Sequence, residues 1–285
     1  MLEVYFEQEQ EADVFYQLAR EETETQLKAI RRRGGNRNSI FILQVESVDM
    51  DIKKKTLAKL LSNVYITCRE IPQIRTILEK KYHFSNKEEI ERITSIAHSL
   101  LEKDEDIYED KIHQHELRDI LMAIFLLHLE PDVIRFDSIV HFRLHHYLEQ
   151  LTEIVGLAID EFKREEEYQS FINSIREFVH RKQAEEDVIF VLAGEQYQFY
   201  REDGTCLTKE MLEELMNHFP LFIFGMQENE WNISPLLMLA PKHLFLYTED
   251  PNDAQINTIL NIFQEKCSLF PSDAFPFFDA EEKES

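Results

Sequence analysis

One apolar stripe runs at helical spacing from Phe136 to Val179, and no other feature of the chain narrows its possible folds as much. Positions 136, 140, 144, 147, 151, 154, 158, 162, 165, 168, 172, 175 and 179 cover 43 residues in 12 steps, close to the repeat of about 3.6 residues of an α-helix. All but Glu165 are apolar or aromatic. Glu165 lies in Lys163-Arg164-Glu165-Glu166-Glu167, where a long helix is expected to bend, break or part from its neighbour.

A chain of 285 residues can bury a real core as one large or two ordinary domains, without disulfides or metal to hold it. Six Gly and eight Pro are few, which favours long helices over a turn-dense all-β fold. The start, Met1-Leu2-Glu3-Val4-Tyr5-Phe6-Glu7, has neither the basic nor the long apolar region of a secretory signal. The longest strongly apolar run, Ile120 to Leu129, is too short for a membrane span and reads as a buried helix. Cys68, Cys206 and Cys267 are odd in number and far apart, which suits a reducing, cytoplasmic setting. Between Lys28 and Lys81 there are 13 Lys and Arg against 5 Asp and Glu, a local charge of +8 within a net charge of -24. A basic N-terminal region is therefore joined to a strongly acidic body, and most of that asymmetry reads as solvated surface.

The pattern implies an α+β, predominantly helical fold, with long central helices flanked by small N-terminal and C-terminal α/β segments. The expected organisation is a strand and helix segment with a basic face over 1–81, a helical core over 82–186, an α+β segment over 187–271 and a flexible acidic tail over 272–285. Leu2, Val4 and Phe6 alternate as in a half-buried strand. A helix is expected from Glu11 to Arg33, ending at Gly34, and a strand over Ser39 to Ser47. Pro72 is expected to separate two helices. Further on, Val188 to Ala193 and Tyr197 to Tyr200 read as paired strands, His243 to Tyr247 as another, and Ile256 to Phe263 as the last helix.

Chemistry is harder to find. His141 and His145 stand four apart, as a helical metal pair would, yet Phe142, Arg143 and Leu144 lie between them and no acid does. His113-Gln114-His115-Glu116 is a second cluster of ligand-type residues. Packed or surface histidines explain both, and no metal or cofactor is assigned. A GxSxG elbow and a phosphate-binding glycine loop are both missing. The acids Asp160, Glu161, Glu165, Glu166 and Glu167 read mainly as solvated helix surface, with Asp160 and Glu161 set to pair with Arg143 or Arg176. Arg31, Arg32, Arg33, Lys53, Lys54 and Lys55 form a candidate basic face for phosphates, without an RNP or zinc-finger signature.

The central block resembles a known family. Arg143-Leu144 and Tyr147-Leu148 lead into Ala158-Ile159-Asp160-Glu161-Phe162, then Glu166-Glu167-Tyr168-Gln169-Ser170-Phe171-Ile172. This is similar to the YtxC-like family of sporulation proteins from spore-forming bacteria, with a looser match in Leu239-Ala240-Pro241-Lys242. The resemblance implies a bacterial cytoplasmic protein connected with sporulation and transfers no catalytic residue. It marks Arg143, Tyr147, Asp160, Glu161, Phe162, Glu167, Tyr168 and Phe171 as candidate site residues. The reading preferred is a non-enzymatic interaction or regulatory protein with a protein partner, not inserted in a membrane. The alternatives are a metal-dependent or acid/base enzyme using the central helices, and a nucleic-acid binder using residues 28–81.

Overall fold

A computed structural model describes residues 2–22, 28–31, 38–43, 50–102, 114–129, 132–194, 196–217 and 232–277. The fold is α+β and predominantly helical. It divides into two compact bodies, Met1–Arg164 and Glu165–Ser285.

The first body carries a four-stranded sheet in the order β2-β3-β1-β4. Strand β1 (Leu2–Tyr5) runs antiparallel to β3 (Ser39–Leu43), with Val4 opposite Ile40, and parallel to β4 (Val133–Arg135), with Val4 opposite Ile134. Helix α1 (Glu9–Glu21) buries Ala12, Phe15 and Ala19, a face set by the i, i+3, i+7 spacing. The rings of Phe6 and Phe15 lie 5.3 Å apart, Phe6 and Phe136 5.1 Å, and Phe125 and Phe136 5.6 Å. These rings tie the sheet to the helices at its centre.

Helix α1 stops at Glu21, and Lys28–Arg31 is strand β2, paired antiparallel with β3. The helix expected to continue to Arg33 is therefore replaced by a strand. The apolar residues near Ile30 fit either period, and the pairing of Ile30 opposite Phe41 decides between them. Gly34 and Gln44 to Ser47 lie outside the described residues, as do Arg32 and Arg33.

Helices α2 (Met50–Tyr65) and α3 (Ile71–Lys80) are not separated by a break at Pro72; a π-helical turn, Ile66–Glu70, joins them. The wider turn gives room just where a proline ring crowds the carbonyl of the preceding turn. Helices α4 (Lys87–Glu102) and α5 (Gln114–Leu127) follow.

The long stripe is two helices, α6 (Phe136–Arg143) and α7 (His145–Arg181), interrupted at Leu144 with φ -82° and ψ 12°. The interruption thus falls earlier than the charged run, through which α7 stays helical. Lys163 to Ser170 are exposed, and the boundary between the bodies falls at Arg164 and Glu165.

The second body has a sheet in the order β6-β5-β7-β8. Strands β5 (Val188–Leu192), β7 (His243–Thr248) and β8 (Cys267–Pro271) are parallel, and β6 (Gln198–Arg201) is antiparallel to β5. One face, with Ile189, Val191, Leu244 and Leu246, packs into a cluster with Ile172, Ile175 and Val179 of α7. Helices α8 (Lys209–Asn217), α9 (Ser234–Leu239) and α10 (Ala254–Phe263) complete that cluster. Asp253 caps α10, accepting from the backbone N–H of Gln255 at 2.8 Å and of Ile256 at 3.1 Å. The sheets of the two bodies are separate, and no described helix is long and apolar enough to cross a membrane.

Candidate functional site

The residues marked by the family resemblance go to different places. Arg143 ends α6 and is exposed, as are Asp160 and Glu167. Glu161 pairs with Arg164 on its own helix, and Arg176 donates to the Asn261 carbonyl at 2.6 Å, so the pairings expected of Glu161 with Arg143 or Arg176 are replaced. Phe162 is buried, with the Arg92 guanidinium 4.9 Å above its ring.

Tyr147 enters a buried polar site in the first body. Its hydroxyl donates to Glu70 Oε2 at 2.6 Å, and its ring meets Tyr65 edge-on at 5.3 Å. The π-turn delivers Glu70 to this point and Arg69 beside it. Burial pushes the Glu70 carboxyl above its ordinary range, opposed by the Tyr147 hydroxyl and by the charges of His98 and Arg118. Burial likewise raises the Tyr147 phenol, helped by the neighbouring Glu70 charge. A recess of only about 60 Å³ opens here, room for a water or two. Arg69 donates through Nη2 to Asp137 Oδ1 at 2.7 Å and through Nε to Glu11, while Asp137 Oδ2 accepts the Glu7 N–H at 2.7 Å. Glu11 is fully buried and its Oε2 has no partner among the described residues. These side chains bind α1, the π-turn and α6 to one another and to the segment that leaves β1 at Glu7.

Tyr168 and Phe171 meet in the second body, at a cleft of about 800 Å³. Such a volume lies within the range of about 300–1,000 Å³ typical of ligand sites. Helix α7 supplies Tyr168, Phe171 and Ile175 to one wall, at the i, i+3, i+7 spacing of a single face. The turn between β5 and β6 supplies Gln196 and Tyr197, β6 supplies Gln198, and α10 supplies Gln255, Thr258 and Ile262. Asn232 donates to Gln255 Oε1 at 2.6 Å, and the Tyr168 hydroxyl lies 3.5 Å from both Thr258 Oγ1 and Asn261 Nδ2. Burial, with the Asp253 charge, pushes the Tyr197 phenol up to about 12, so it remains a neutral donor at ordinary pH.

The lining therefore combines aromatic rings with carboxamides, and its described residues include Lys209 but no carboxylate. For a chain with 55 Asp and Glu these described lining residues are poor in acid, although Glu249, Asp250 and Asp253 line an adjoining recess that shares Tyr197, Asn232 and Gln255. Carboxamides offer donors and acceptors without exchanging protons at neutral pH, and rings offer stacking area. Gln196, Asn232 and Gln255 were not singled out by sequence, because isolated carboxamides carry no spacing signal.

The other candidates lie apart. His141 is on α6 and His145 opens α7, so the break at Leu144 removes the continuous helix face that an i, i+4 metal pair needs. The His141 ring bonds its own helix at the Asp137 carbonyl, 2.8 Å away, and His145 faces Glu149 at 3.2 Å. Among the described residues no three His, Cys, Asp or Glu are grouped as a metal site. His113 and the side chains of His115, Glu116 and Arg31 lie outside the described residues. Lys54 and Lys55 are exposed on α2, and Lys53 is half-buried.

Comparison with known proteins adds a family. The profile of the YtxC-like family matches residues 55–268. The chain belongs to the YtxC-like family. It is also similar to the protein described as "Uncharacterized protein YtxC" of Bacillus subtilis (strain 168), at 28% identity over 288 residues, covering 96% of each chain. No solved structure matches. The family match spans both the Glu70 site and the Tyr168 cleft.

Proposed function

We propose that this YtxC-like protein is a non-enzymatic, cytoplasmic interaction protein of sporulation that takes hold of a partner protein through the Tyr168 cleft. The observation that carries this reading is the meeting of Tyr168 and Phe171 at an acid-poor, carboxamide-lined surface. The link to sporulation rests on the family. Carboxamides facing one another across aromatic walls suit the amide groups and apolar side chains of a polypeptide.

Affinity capture from sporulating cells tests this reading, with wild type, Phe171→Ala and a Lys54→Glu/Lys55→Glu variant run side by side. The expected result is one defined partner, reduced at least tenfold (roughly 1.4 kcal/mol) by Phe171→Ala while the helical circular dichroism is unchanged. Equal capture by wild type and Phe171→Ala would remove the cleft from the interaction. Loss confined to the lysine variant would move the interface to the basic face.

A further inference from the structure

The second sheet has two unlike faces. Ile189, Val191, Leu244 and Leu246 meet helices, whereas Phe190, Phe245 and Tyr247 point the other way and are joined there by Tyr200 and Phe270. The described helices of this body contribute to the first face. What lies on the second is the chain directly after β8. Phe275 packs edge-on against Tyr200 at 5.0 Å and Tyr247 at 5.2 Å, and Phe277 edge-on against Phe190 at 5.0 Å. A residue expected to belong to a flexible tail is thus 5% exposed.

Two further observations separate this strap from ordinary core. Gly204 turns with φ +83°, and a Cβ there would come within 3.1 Å of Phe277 Cδ1, so the turn after β6 forms a seat for that ring. The aromatic face also extends beyond the strap, because Phe270, paired with Tyr247 on β8 at the sheet edge, is 38% exposed. Pro276, between the two seated rings, is exposed.

We infer that the aromatic face of the second sheet is a docking surface for a peptide carrying two aromatic residues around a proline, and that Phe275-Pro276-Phe277 occupies it in cis as an internal competitor. The chemistry of the partner is read from the segment already seated there. Two rings spaced by one proline match the seats at Tyr200/Tyr247 and Phe190/Gly204, and the fixed φ of the proline presets the turn in which Pro276 and Phe277 lie at little entropic cost. The open Phe270 edge gives an incoming peptide a first foothold. A tethered segment acts at an effective concentration in the millimolar range. A free peptide with an intrinsic Kd near ~10 µM would then bind the intact chain about 100-fold more weakly than a chain whose strap has lost its rings. This site is on the opposite face of the sheet from the core that α7 and α10 share, and the inference does not depend on the cleft.

The test uses the full-length chain and a fluorescein-labelled synthetic peptide spanning Ser272 to Asp279, followed by fluorescence anisotropy. F275A/F277A is expected to bind the peptide at least 30-fold more tightly than wild type, on the order of the ~100-fold relief from the tether, with helical circular dichroism intact. F277A, which empties only the Gly204 seat, is expected to fall between them. A folded F275A/F277A chain that does not bind, or a wild type that binds equally well, overturns the inference. So does loss of folding in both variants, since the rings would then be core and not a displaceable strap.

Discussion

Removal of a single hydroxyl from Tyr147 should cost stability in a way that depends on pH. The Tyr147 hydroxyl donates at 2.6 Å to Glu70 Oε2, and both residues are buried. Tyr147→Phe keeps the edge-on ring contact with Tyr65 and deletes only the donor. Burial holds the folded Glu70 carboxyl above its ordinary 4.5. This group therefore favours folding below 4.5, and that contribution is lost as pH rises through the raised folded value. The hydroxyl opposes the loss by stabilising the carboxylate, so without it the loss deepens. At pH 4 the bond is to a neutral carboxyl, and its removal should cost about 1 kcal/mol; at pH 8 it is to a buried carboxylate, and the cost should reach about 2–3 kcal/mol. Urea denaturation of the helical signal at the two pH values measures the difference. In a Glu70→Gln background, which retains an acceptor but no charge, the cost should stay near ~1 kcal/mol throughout. A penalty in the Glu70 background that is equal at pH 4 and pH 8 would show that the hydroxyl does not stabilise the ionised carboxylate, and the account given of this site would be wrong.

Arg69→Ala should be more damaging, by about 3–5 kcal/mol in the same assay, because it leaves Glu11 and Asp137 buried without their cation. Asp253→Ala removes both N-cap bonds of α10 and should cost about 1 kcal/mol, with faster hydrogen exchange confined to the first turn of that helix. G204A forces a side chain into the left-handed region at about 1–2 kcal/mol and crowds Phe277. Exchange in Ser272–Phe277 should rise in that variant before exchange in β5 does.

Much of the architecture is readable from periodicity because long helices bury one face. The stripe from Phe136 onward follows the buried side of α6 and α7 except at Glu165 and Tyr168, which are exposed, and the defect at Glu165 coincides with the boundary between the bodies. Strands were harder to read. Residues near Ile30 satisfy helical and extended spacing equally, and only the partner strand β3 settles the matter. Strand β4 has three residues, too few to show an alternation, and β8 is exposed from Ser268 to Pro271 on both of its faces, so its burial does not alternate. At the candidate site, Tyr168 and Phe171 stood out through their motif. Glu11 offered a signal that went unused: a carboxylate next to Ala12 and four residues before Phe15 sits on the apolar side of its helix, where a charge needs a partner. That partner, Arg69, is 58 residues away, and no local pattern connects them.

The π-turn at Ile66–Glu70 also fixes the length of the chain at this point. A π-turn accommodates one residue more than regular helix would, and each residue of an α-helix advances the side chains by about 100° around the axis. Loss of one residue from this turn would restore ordinary winding and leave the residues after it in phase with those before it. Ile74, Ile77 and Leu78 would keep the core-facing side of α3, while Arg69 and Glu70 would lose the wider winding that aims them at Glu11 and Tyr147. A deletion here therefore strikes the buried polar site and spares the helix that follows, whereas a deletion in the regular winding of α3 would rotate every residue after it by about 100°.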